Sequence, residues 1–431
     1  MTHRKTQVGI AAYVLALVVA SLVALTQSRA SADDWPQWRG PQRDGISQEK
    51  GLAQQWPEGG PRLVWQIKDA GGGYSTPAVV GNRLYVLGNH GNDDEYVQAR
   101  NVADGQPVWT QHIGKVGLPD QQPNFPGSRS TTTVDGQYLY ALGSDGDIVC
   151  LETATGKEKW HKNVQADFGG KPGQWAYSES PLLDGNVLVC TPGGSEATIV
   201  ALEKMTGEPI WKCAAPEADE AGYASAIVAP IGGVKQYIQL LQKGLVGVNA
   251  KTGQLLWRYT NSSKGSVANI PTPVADASFV YSATGQGAGG LVDIKNDNGA
   301  FDAAQVYLDS KLPNAIGGTV KIGDYLYGTN RSAVECVDFK TGDVKWSERG
   351  IGTGALCYAD GNLYAHGENG DVALVEASPE GYHERGRFTP PDVPEHPGML
   401  RAWAYPVVAN GRLYIRDLEH LWCYDVSAAP N

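Results

Sequence analysis

Histidine and cysteine, the residues that most often bind metals or act as nucleophiles, show no recognisable spacing in this 431-residue chain. The eight histidines include no HxH or HExxH arrangement, which would place two imidazoles on one metal ion. The six cysteines form no CxxC motif and no adjacent pair. Each cysteine lies in an apolar, strand-like stretch, so we expect buried free thiols, although the even count also permits disulfides. We therefore predict no metal site and no thiol chemistry.

Two other stretches match ligand-binding motifs only in part. The Gly-x-Gly-x-x-Gly letters at 285–290 have the spacing of a dinucleotide-binding loop, but no helical pattern follows them. The acidic stretch 293–302, which contains Asp297 and Asp302, has the composition of a Ca²⁺ loop. Its twelfth position is Ala304, where a bidentate Glu belongs. Both stretches are predicted to be turns.

One short pattern recurs along the chain and indicates how the chain is organised. An acidic or amide residue is followed three positions later by Thr-Gly, and a Trp stands four residues past the Gly. The copies are Glu152–Trp160, Glu203–Trp211, Asn249–Trp257, Asp338–Trp346 and, in altered form, Asn101–Trp109. With Trp65 included, the Trp residues recur at roughly regular intervals, except that one interval is about twice as long. Tyr307 falls where the Trp of that long interval is missing.

The residue types in this pattern suit a turn followed by an anchor. The acidic or amide side chain can accept hydrogen bonds from backbone groups of the turn, and Gly tolerates the left-handed conformation. The Trp can bury its ring between neighbouring units while its N–H reaches a backbone acceptor. We therefore predict a structural docking role for Trp65, Trp109, Trp160, Trp211, Trp257 and Trp346.

Short apolar strands and tight turns surround each copy of the pattern. Residues 130–162 contain four such strands, with Asp135-Gly136 as the first turn. Eight units of about 45 residues with four antiparallel strands each predict an all-β, eight-bladed propeller. The last unit has only three strands before the chain ends. We expect residues 63–67 to supply its fourth strand, which closes the ring and leaves no free sheet edge.

The Asp-x-x-Thr-Gly-x-x-x-Trp pattern resembles the pyrroloquinoline quinone (PQQ)-like, or quinoprotein-type, propeller repeat. The resemblance extends over nearly all of the chain after residue 32 and implies an eight-bladed propeller. That family includes PQQ-dependent alcohol dehydrogenases and cofactor-free, BamB-like scaffolds of outer-membrane protein assembly. The opening Trp35-x-x-Trp38-Arg39-Gly40-Pro41 looks like that of exported PQQ-like propellers of planctomycete-type bacteria. The resemblance implies, for PQQ-binding members, a disulfide between adjacent cysteines and long inserted loops, and this chain has neither.

The N-terminus has the order of a secretory signal: cationic residues, an apolar run from Val8 to Leu25, and the small-x-small site ending at Ala32. An uncleaved membrane anchor is the alternative. No cysteine follows the apolar run until Cys150, so a lipoprotein anchor is not expected. The predicted organisation is a signal peptide at 1–32, a strap rich in Trp, Pro and Gly at 33–59, a propeller at 60–426 and a tail at 427–431.

The charge of the chain argues against two kinds of partner. The formal net charge is -11, and loss of the three cationic residues in 1–32 would change it to -14. An acidic protein without a basic run is not expected to bind nucleic acid or an anionic membrane surface. We expect an exported bacterial monomer, periplasmic or extracellular, with no membrane span once the signal is cleaved.

A ligand site in a propeller is expected at the mouth of the central channel, where the first strands of the blades begin. The residues aligned there include unusual charged and aromatic side chains, for which mutual pairing around a water-filled channel is the alternative role. The predicted ligand-binding residues are Tyr74, Arg129, Trp175, Tyr177, Glu179, Asn269, Asn314, Arg401 and Trp403. The Pro-rich loops 118–129 and 388–401 are expected to flank this mouth.

Three functions remain open on the sequence. The first is a non-catalytic binding or assembly scaffold of the cell envelope, which needs no cofactor and binds an envelope protein or a small polar ligand. The second, implied by the family resemblance, is a PQQ-dependent alcohol dehydrogenase with PQQ and Ca²⁺. The third, suggested by the aromatic residues of the mouth, is a carbohydrate-binding or carbohydrate-active propeller. We assign no catalytic residue.

Overall fold

A computed structural model of the chain contains almost only β-structure. The exceptions are a five-residue helix, α1 (Val164–Phe168), and two 3-10 turns, Pro216–Ala218 and Asn261–Ser263. The structure describes residues 34–118, 120–121, 125, 127–285 and 287–428. The predicted signal peptide and residues 429–431 of the predicted tail lie outside this part of the chain.

The strands form eight sheets, each with four antiparallel strands, which are the blades of a propeller. The predicted eight-bladed, all-β fold is therefore confirmed. The strand bounds in blades 1 to 4 are β2 (Ala78–Val80), β3 (Arg83–His90), β4 (Asp94–Asn101), β5 (Pro107–Gly114); β6 (Thr133–Asp135), β7 (Tyr138–Leu142), β8 (Asp147–Glu152), β9 (Glu158–Asn163); β10 (Leu182–Asp184), β11 (Val187–Cys190), β12 (Ile199–Glu203), β13 (Pro209–Cys213); β14 (Ile227–Ile231), β15 (Val234–Leu241), β16 (Gly244–Asn249), β17 (Leu255–Tyr259). Those in blades 5 to 8 are β18 (Val274–Asp276), β19 (Phe279–Ala283), β20 (Gly289–Asp297), β21 (Ala300–Asp309); β22 (Thr319–Ile322), β23 (Tyr325–Thr329), β24 (Val334–Asp338), β25 (Val344–Glu348); β26 (Gly354–Ala359), β27 (Asn362–Gly367), β28 (Val372–Glu376), β29 (Glu384–Phe388); β30 (Val407–Ala409), β31 (Arg412–Asp417), β32 (His420–Asp425), β1 (Arg62–Ile67).

The first strands of neighbouring blades contact one another and surround the central channel. Because consecutive strands of a blade are antiparallel, certain loops must share a face of the ring. The starts of the first strands, the turns between second and third strands and the ends of the fourth strands lie on one face, here called the mouth face. The turns between first and second and between third and fourth strands lie on the opposite face, here called the far face.

The N-terminal strand β1 closes the ring, as the sequence predicts. It pairs with β32 in antiparallel register, with Trp65 opposite Cys423. The adjoining joint between blades 8 and 1 is sealed by Arg416, which is fully buried. Its guanidinium donates to the carbonyls of Ser75 (2.8 Å) and Leu87 (2.7 Å) in and before blade 1. Closure thus satisfies backbone groups that an open ring would leave unpaired.

The Trp of one blade packs on the Thr-Gly turn of the next blade. Trp109 Nε1 donates to the carbonyl of Thr153 (3.0 Å). A Cβ atom on Gly156 would lie 2.6 Å from the Trp109 ring, so the ring and the turn are in close contact. Equivalent hydrogen bonds join Trp65 to Val102, Trp160 to Lys204, Trp211 to Ala250 and Trp346 to Ser378. The first three of these rings also lie on a turn glycine, whereas blade 7 has no Thr-Gly turn for Trp346.

The turn itself forms as predicted. Asp338 Oδ1 accepts hydrogen bonds from the backbone N–H groups of Lys340 and Thr341, both at 3.0 Å. Gly342 has a φ of 79°, the left-handed conformation that glycine adopts without strain. The conformation of the turn therefore depends on the acidic residue and the glycine. The aromatic ring of the preceding blade packs on the flat surface of this glycine.

Trp257 clusters with apolar residues of blade 5, but its indole N–H has a different kind of partner from those of the other docking Trp residues. Its ring is buried, but Nε1 donates to Gln236 Oε1 (2.7 Å) in its own blade and not to a backbone carbonyl of the next one. Blade 5 carries the long β20–β21 hairpin in place of a Thr-Gly turn. The ring instead folds over Gly247, opposite it on β16, where a Cβ atom would lie 2.1 Å from Nε1.

Two blades lack the Trp and fill its position in other ways. In blade 5, Tyr307 replaces it as predicted, and its hydroxyl donates to the carbonyl of Phe339 (2.8 Å) in blade 6. In blade 7 the equivalent position is Gly386, opposite Leu374 on β28. Trp56 from the N-terminal segment lies on this glycine, where a Cβ atom would be 2.6 Å from Trp56 Cβ. A residue distant in sequence thus supplies the missing ring.

The segment 34–56, here called the strap, covers the far face and touches every blade. Asp34 accepts a hydrogen bond from the backbone N–H of Gly81, and Glu49 accepts one from the backbone N–H of Gly411. Both glycines lie in turns between first and second strands. From blade 1 to blade 8, strap contacts are Trp35–Val79, Pro36–Val134, Arg43–Pro181, Arg43–Ala226, Trp38–Thr272, Arg39–Thr319, Ser47–Tyr358 and Ala53–Val426. The strap therefore closes the channel from the far face.

The six cysteines are free and buried, as the apolar context predicts. Three of them, Cys150, Cys336 and Cys423, stand directly opposite a docking Trp in the strand register. Burial raises the pKa of the Cys150 thiol to about 11, so the neutral form dominates near neutral pH. Within the ranges given above, no helix has the length and apolar character needed to cross a membrane.

Replacement of a docking Trp should destabilise the ring. We expect Trp109→Ala to lower the free energy of unfolding by about 3–5 kcal/mol, because it removes a large ring and its hydrogen bond from a blade joint. Val108→Ala, at an exposed neighbouring position on β5, is the matched control and should change it by less than about 0.5 kcal/mol. Denaturant unfolding measures both, and equal effects would contradict the docking role.

Candidate functional site

A cavity of about 270 Å³ lies at the mouth of the channel, where the first strands begin. Half of its lining residues are aromatic, and the segments just before the first strands of seven blades contribute to it. The aromatic and sulfur-containing side chains that line it are Trp38, Tyr74, Phe125, Trp175, Tyr223, Met399, Trp403 and Tyr405. The remaining lining residues are Arg129, Ser178, Ser225, Ala268, Ile270 and Ile316.

Four of the nine predicted ligand-binding residues meet in this cavity: Tyr74, Arg129, Trp175 and Trp403. The rings of Tyr74 and Trp403 have centroids 5.1 Å apart. Phe125 lies 5.2 Å from Trp403 and 5.8 Å from Trp175, so it bridges the two indoles. Phe125 and Met399 come from the loops 118–129 and 388–401, which places described parts of both loops at the mouth, as predicted.

Three hydrogen-bond donors are set into this aromatic wall. The Tyr74 hydroxyl and the Trp175 Nε1–H are buried and have no partner among the described residues. Arg129 donates to the carbonyls of Trp175 (2.6 Å) and Phe125 (2.7 Å), which fixes its guanidinium at the wall. Burial lowers the pKa of Arg129 from its usual value. A ligand with an acceptor group would satisfy donors that are otherwise costly to bury.

Four other predicted residues lie away from the cavity and support the backbone. Tyr177 donates to the carbonyl of Pro192 (2.8 Å), and Glu179 accepts from Gln239 Nε2 (3.0 Å). Asn269 donates to the carbonyls of two residues that end β15 and begin the following turn, both at 2.8 Å. Asn314 donates more weakly to backbone carbonyls, the shorter contact being 3.2 Å. Their alignment with the first strands is correct, but their side chains point into the blades.

The ninth residue, Arg401, belongs to a neighbouring depression of about 530 Å³ on the mouth face. Arg349, Arg387, His396 and Glu368 also line this depression. It adjoins the cavity, because Trp403 Nε1 donates to Glu368 Oε1 (3.0 Å) across the wall between them. Arg401 donates to backbone carbonyls of its own loop. The mouth therefore has an aromatic part and a cationic part.

The lining residues that were not among the predicted ligands include Tyr223, Tyr405 and Trp38. Tyr223 and Tyr405 stand at starts of first strands, so the same alignment could have selected them. Trp38 comes from the strap and forms the floor, where its ring contacts Tyr405 with centroids 4.6 Å apart. Its Nε1 donates to Thr272 Oγ1 (2.8 Å). No repeat pattern could place a strap residue inside the channel.

The donor set of the cavity does not fit the PQQ–Ca²⁺ pair that the family resemblance implies. Ca²⁺ requires six to eight oxygen ligands, among them carboxylates, and the lining residues include no Asp or Glu. Across the described ranges, no group of three or more His, Cys, Asp or Glu is placed to hold a metal ion. Arg129 is the one cation of the cavity lining that could meet a carboxylate of PQQ.

Together, the fold and the site define an eight-bladed propeller with a strap-sealed channel and a cavity at the open end. A family model described as outer membrane protein assembly factor BamB matches residues 93–348, more than half of the chain. The chain therefore belongs to this family of PQQ-like repeat propellers.

Curated relatives of two kinds share part of the sequence. Quinohemoprotein alcohol dehydrogenase of Comamonas testosteroni is 28% identical over 161 residues, which cover 35% of this chain and 21% of the relative. The assembly factor BamB of Xanthomonas campestris pv. campestris is 26% identical over 187 residues, or 42% of this chain and 43% of the relative. The matches thus span less than half the length of either relative.

Solved structures of the same two kinds share the fold. BamB from Moraxella catarrhalis has a TM-score of 0.57 at 12% identity, covering 82% of this chain and 95% of that one. Quinohemoprotein alcohol dehydrogenase from Comamonas testosteroni has a TM-score of 0.52 at 13% identity, covering 96% of this chain and 84% of that one. These similarities establish the propeller and leave its ligand open.

Beside the cavity, Glu95 on β4 carries a fully buried carboxyl group. The backbone N–H and the hydroxyl of Ser144 both donate to Glu95 Oε2 at 2.8 Å. Burial nevertheless raises the pKa of Glu95 to about 7, with hydrogen bonds and the charge of Arg129 acting in the opposite direction. The fold therefore favours the protonated acid compared with the unfolded chain.

This preference predicts a pH dependence of stability. Because the pKa is higher in the folded state, the contribution of the protonated Glu95 to the free energy of unfolding is complete below about pH 4.5. This contribution is lost as the pH rises to about 7. A pKa difference of this size corresponds to up to about 3 kcal/mol. Glu95→Gln should remove this pH-dependent loss, while the exposed control Glu58→Gln should retain it. Unfolding measured between pH 4.5 and 7.5 tests this, and unchanged pH dependence in Glu95→Gln would contradict it.

Proposed function

We propose that this protein is exported and serves as a non-catalytic binding or assembly scaffold of the cell envelope, with the cavity at the channel mouth as its binding site. One observation carries the proposal: the far end of the channel is sealed by the strap, and the mouth end presents aromatic side chains with unpartnered donors. Such a site can hold a partner's side chain without any catalytic group.

The family supports this role without fixing the partner. Proteins named BamB occur among both the sequence and the structural matches, and the sequence relatives are named outer membrane protein assembly factor BamB. The signal-like N-terminus fits an envelope location. The proposed occupant is an envelope protein or a small polar ligand, and the proposed acting form is a monomer.

The second candidate is a quinoprotein alcohol dehydrogenase, which the matches to quinohemoprotein enzymes favour. It requires PQQ and Ca²⁺, and the cavity lining offers no carboxylate to hold the ion. The third candidate, a carbohydrate-binding propeller, rests on the aromatic walls alone, because sugar faces also pack on such rings. The scaffold role requires no cofactor or metal ion in addition to the residues that line the cavity.

Site-directed photocrosslinking tests the scaffold role. A benzophenone amino acid at Met399, an exposed cavity-lining position, should crosslink to a discrete envelope protein in cells of the source organism. The same label at Val344, exposed at the far-face end of β25, should not. Ala268→Trp, which fills the cavity, should reduce the Met399 crosslink at least tenfold without changing protein level.

Two results would contradict the scaffold role. One is equal crosslinking from Met399 and Val344, which would show that the mouth is not the contact site. The other is a quinone absorbance change with added PQQ and Ca²⁺ together with alcohol-dependent reduction of an artificial electron acceptor. That second result would establish the dehydrogenase instead.

A further inference from the structure

A cationic surface lies beside the aromatic cavity, on a chain whose net charge is -11. The loops that carry it all belong to the mouth face: Arg331 in the turn between β23 and β24, Arg349 after β25, Arg387 on β29, and Arg401 in the loop before β30. Arg349 lines both the depression that contains Arg401 and a second depression that contains Arg331. The two depressions are therefore continuous through Arg349.

The cations differ in how far they are already paired. Arg387 is committed to Glu384, with Nε–Oε1 and Nη2–Oε2 distances of 2.9 and 2.6 Å. Within the described residues, Arg331 and Arg401 donate hydrogen bonds only to backbone carbonyls, and Arg349 is exposed and forms no ion pair. Three of the four guanidiniums are thus available to an incoming anion, and guanidinium binds carboxylates in a planar, bidentate manner.

Glu368, the acidic residue that lines this depression, competes only weakly with an incoming anion for the arginines. Glu368 lines the same depression, and its carboxylate accepts from Trp403 Nε1. Burial raises the pKa of Glu368 from its usual value, with the Trp403 hydrogen bond and the charge of Arg401 acting in the opposite direction. His396 is paired with Asp417, with 2.9 Å between Nε2 and Oδ1. The cationic surface therefore remains complementary to a negatively charged ligand.

The cationic surface and the aromatic cavity share a wall. Residues 399–403 form it, since Met399 and Trp403 line the cavity and Arg401 lines the depression. The Trp403–Glu368 contact of 3.0 Å joins the two sides. An extended chain advances about 3.3–3.6 Å per residue. Because Arg401 is two residues from both Met399 and Trp403, a ring in the cavity and a carboxylate at Arg401 can belong to residues one to three positions apart.

We propose that the mouth binds an extended protein segment in which an aromatic side chain is followed within one to three residues by acidic side chains. The aromatic ring enters the cavity beside Tyr74 and Trp175, and the acidic side chains pair with Arg349, Arg401 and Arg331. The inference rests on the proposed scaffold function and specifies the chemistry of its partner. Aromatic anchors in desolvated pockets with charged residues at the rim are a frequent arrangement of protein interfaces.

Calorimetry with three synthetic peptides tests the proposal. The probe is acetyl-Phe-Asp-Glu-Asp-amide, and its controls are acetyl-Phe-Asn-Gln-Asn-amide, without charge, and acetyl-Ala-Asp-Glu-Asp-amide, without a ring. We expect the probe to bind at least tenfold more tightly than either control, and its affinity to fall with added salt because the pairs are partly exposed. Equal binding of the probe and the uncharged control would contradict the pairing of acidic side chains with the arginines. Equal binding of the probe and the ring-free control would contradict the entry of an aromatic ring into the cavity.

Protein variants locate the binding. Arg349→Gln should weaken the probe roughly two- to fivefold, whereas Lys345→Gln, an equal charge change at an exposed far-face position of the same blade, should leave it unchanged. Ala268→Trp should abolish binding, with circular dichroism and thermal unfolding confirming that the variant is folded. Equal losses in the Arg349 and Lys345 variants would overturn the site.

The peptide result is separable from the scaffold role. Absence of probe binding up to millimolar concentration, with a cavity-dependent crosslink from Met399 intact, would overturn the aromatic–acidic segment and leave the scaffold standing. Loss of both would overturn the two proposals together.

Discussion

The contact between a Trp ring and the Thr-Gly turn of the next blade is the constraint on which the rest of the structure depends. A four-stranded blade has two faces to bury, and only a neighbouring blade can cover them. The turn offers a flat glycine surface and a free carbonyl, as Gly156 and Thr153 do for Trp109. Five joints have a Trp that donates to a carbonyl of the next blade, and the other three place Trp257, Tyr307 or Trp56 at the equivalent position. An aromatic ring therefore fills every joint, and the repeated spacing closes the ring of blades.

Closure also determines where a ligand can bind. Eight first strands converge on one axis, so their starts bring residues far apart in sequence to a common mouth. The strap fills the opposite end, with Trp38, Arg39 and Arg43 inserted between the strands. The channel is consequently a blind cavity with one entrance. Its aromatic walls are rigid, because the rings pack on one another and on the strap.

Much of this architecture can be predicted from the sequence, because the repeat encodes it directly. The blade number, the closing strand β1 and the substitution of Tyr307 for a Trp all follow from spacing. The hydrogen bond from Trp257 to Gln236 could not be predicted, since it depends on the missing Thr-Gly turn of the next blade. The position of Trp56 on Gly386 could not be predicted either, because this contact joins two segments that share no sequence pattern.

The site could be predicted only in part, for a related physical reason. Alignment of the first strands gives the height of a residue along the channel but not the direction of its side chain. Tyr74 and Trp175 point into the cavity, whereas Tyr177 and Glu179, only a few positions further on, point into the blade. The floor residue Trp38 lies outside the repeat altogether. Side-chain direction and strap placement are decided by tertiary packing, which spacing does not record.

Hydrogen–deuterium exchange of the protein alone and in its native complex tests whether the channel mouth is the binding site. Binding at the mouth should slow exchange at the backbone of 74–76, 223–225 and 399–405 and leave the far-face turns unchanged. Slower exchange confined to the outer strands or the far face, with the mouth unaffected, would contradict it.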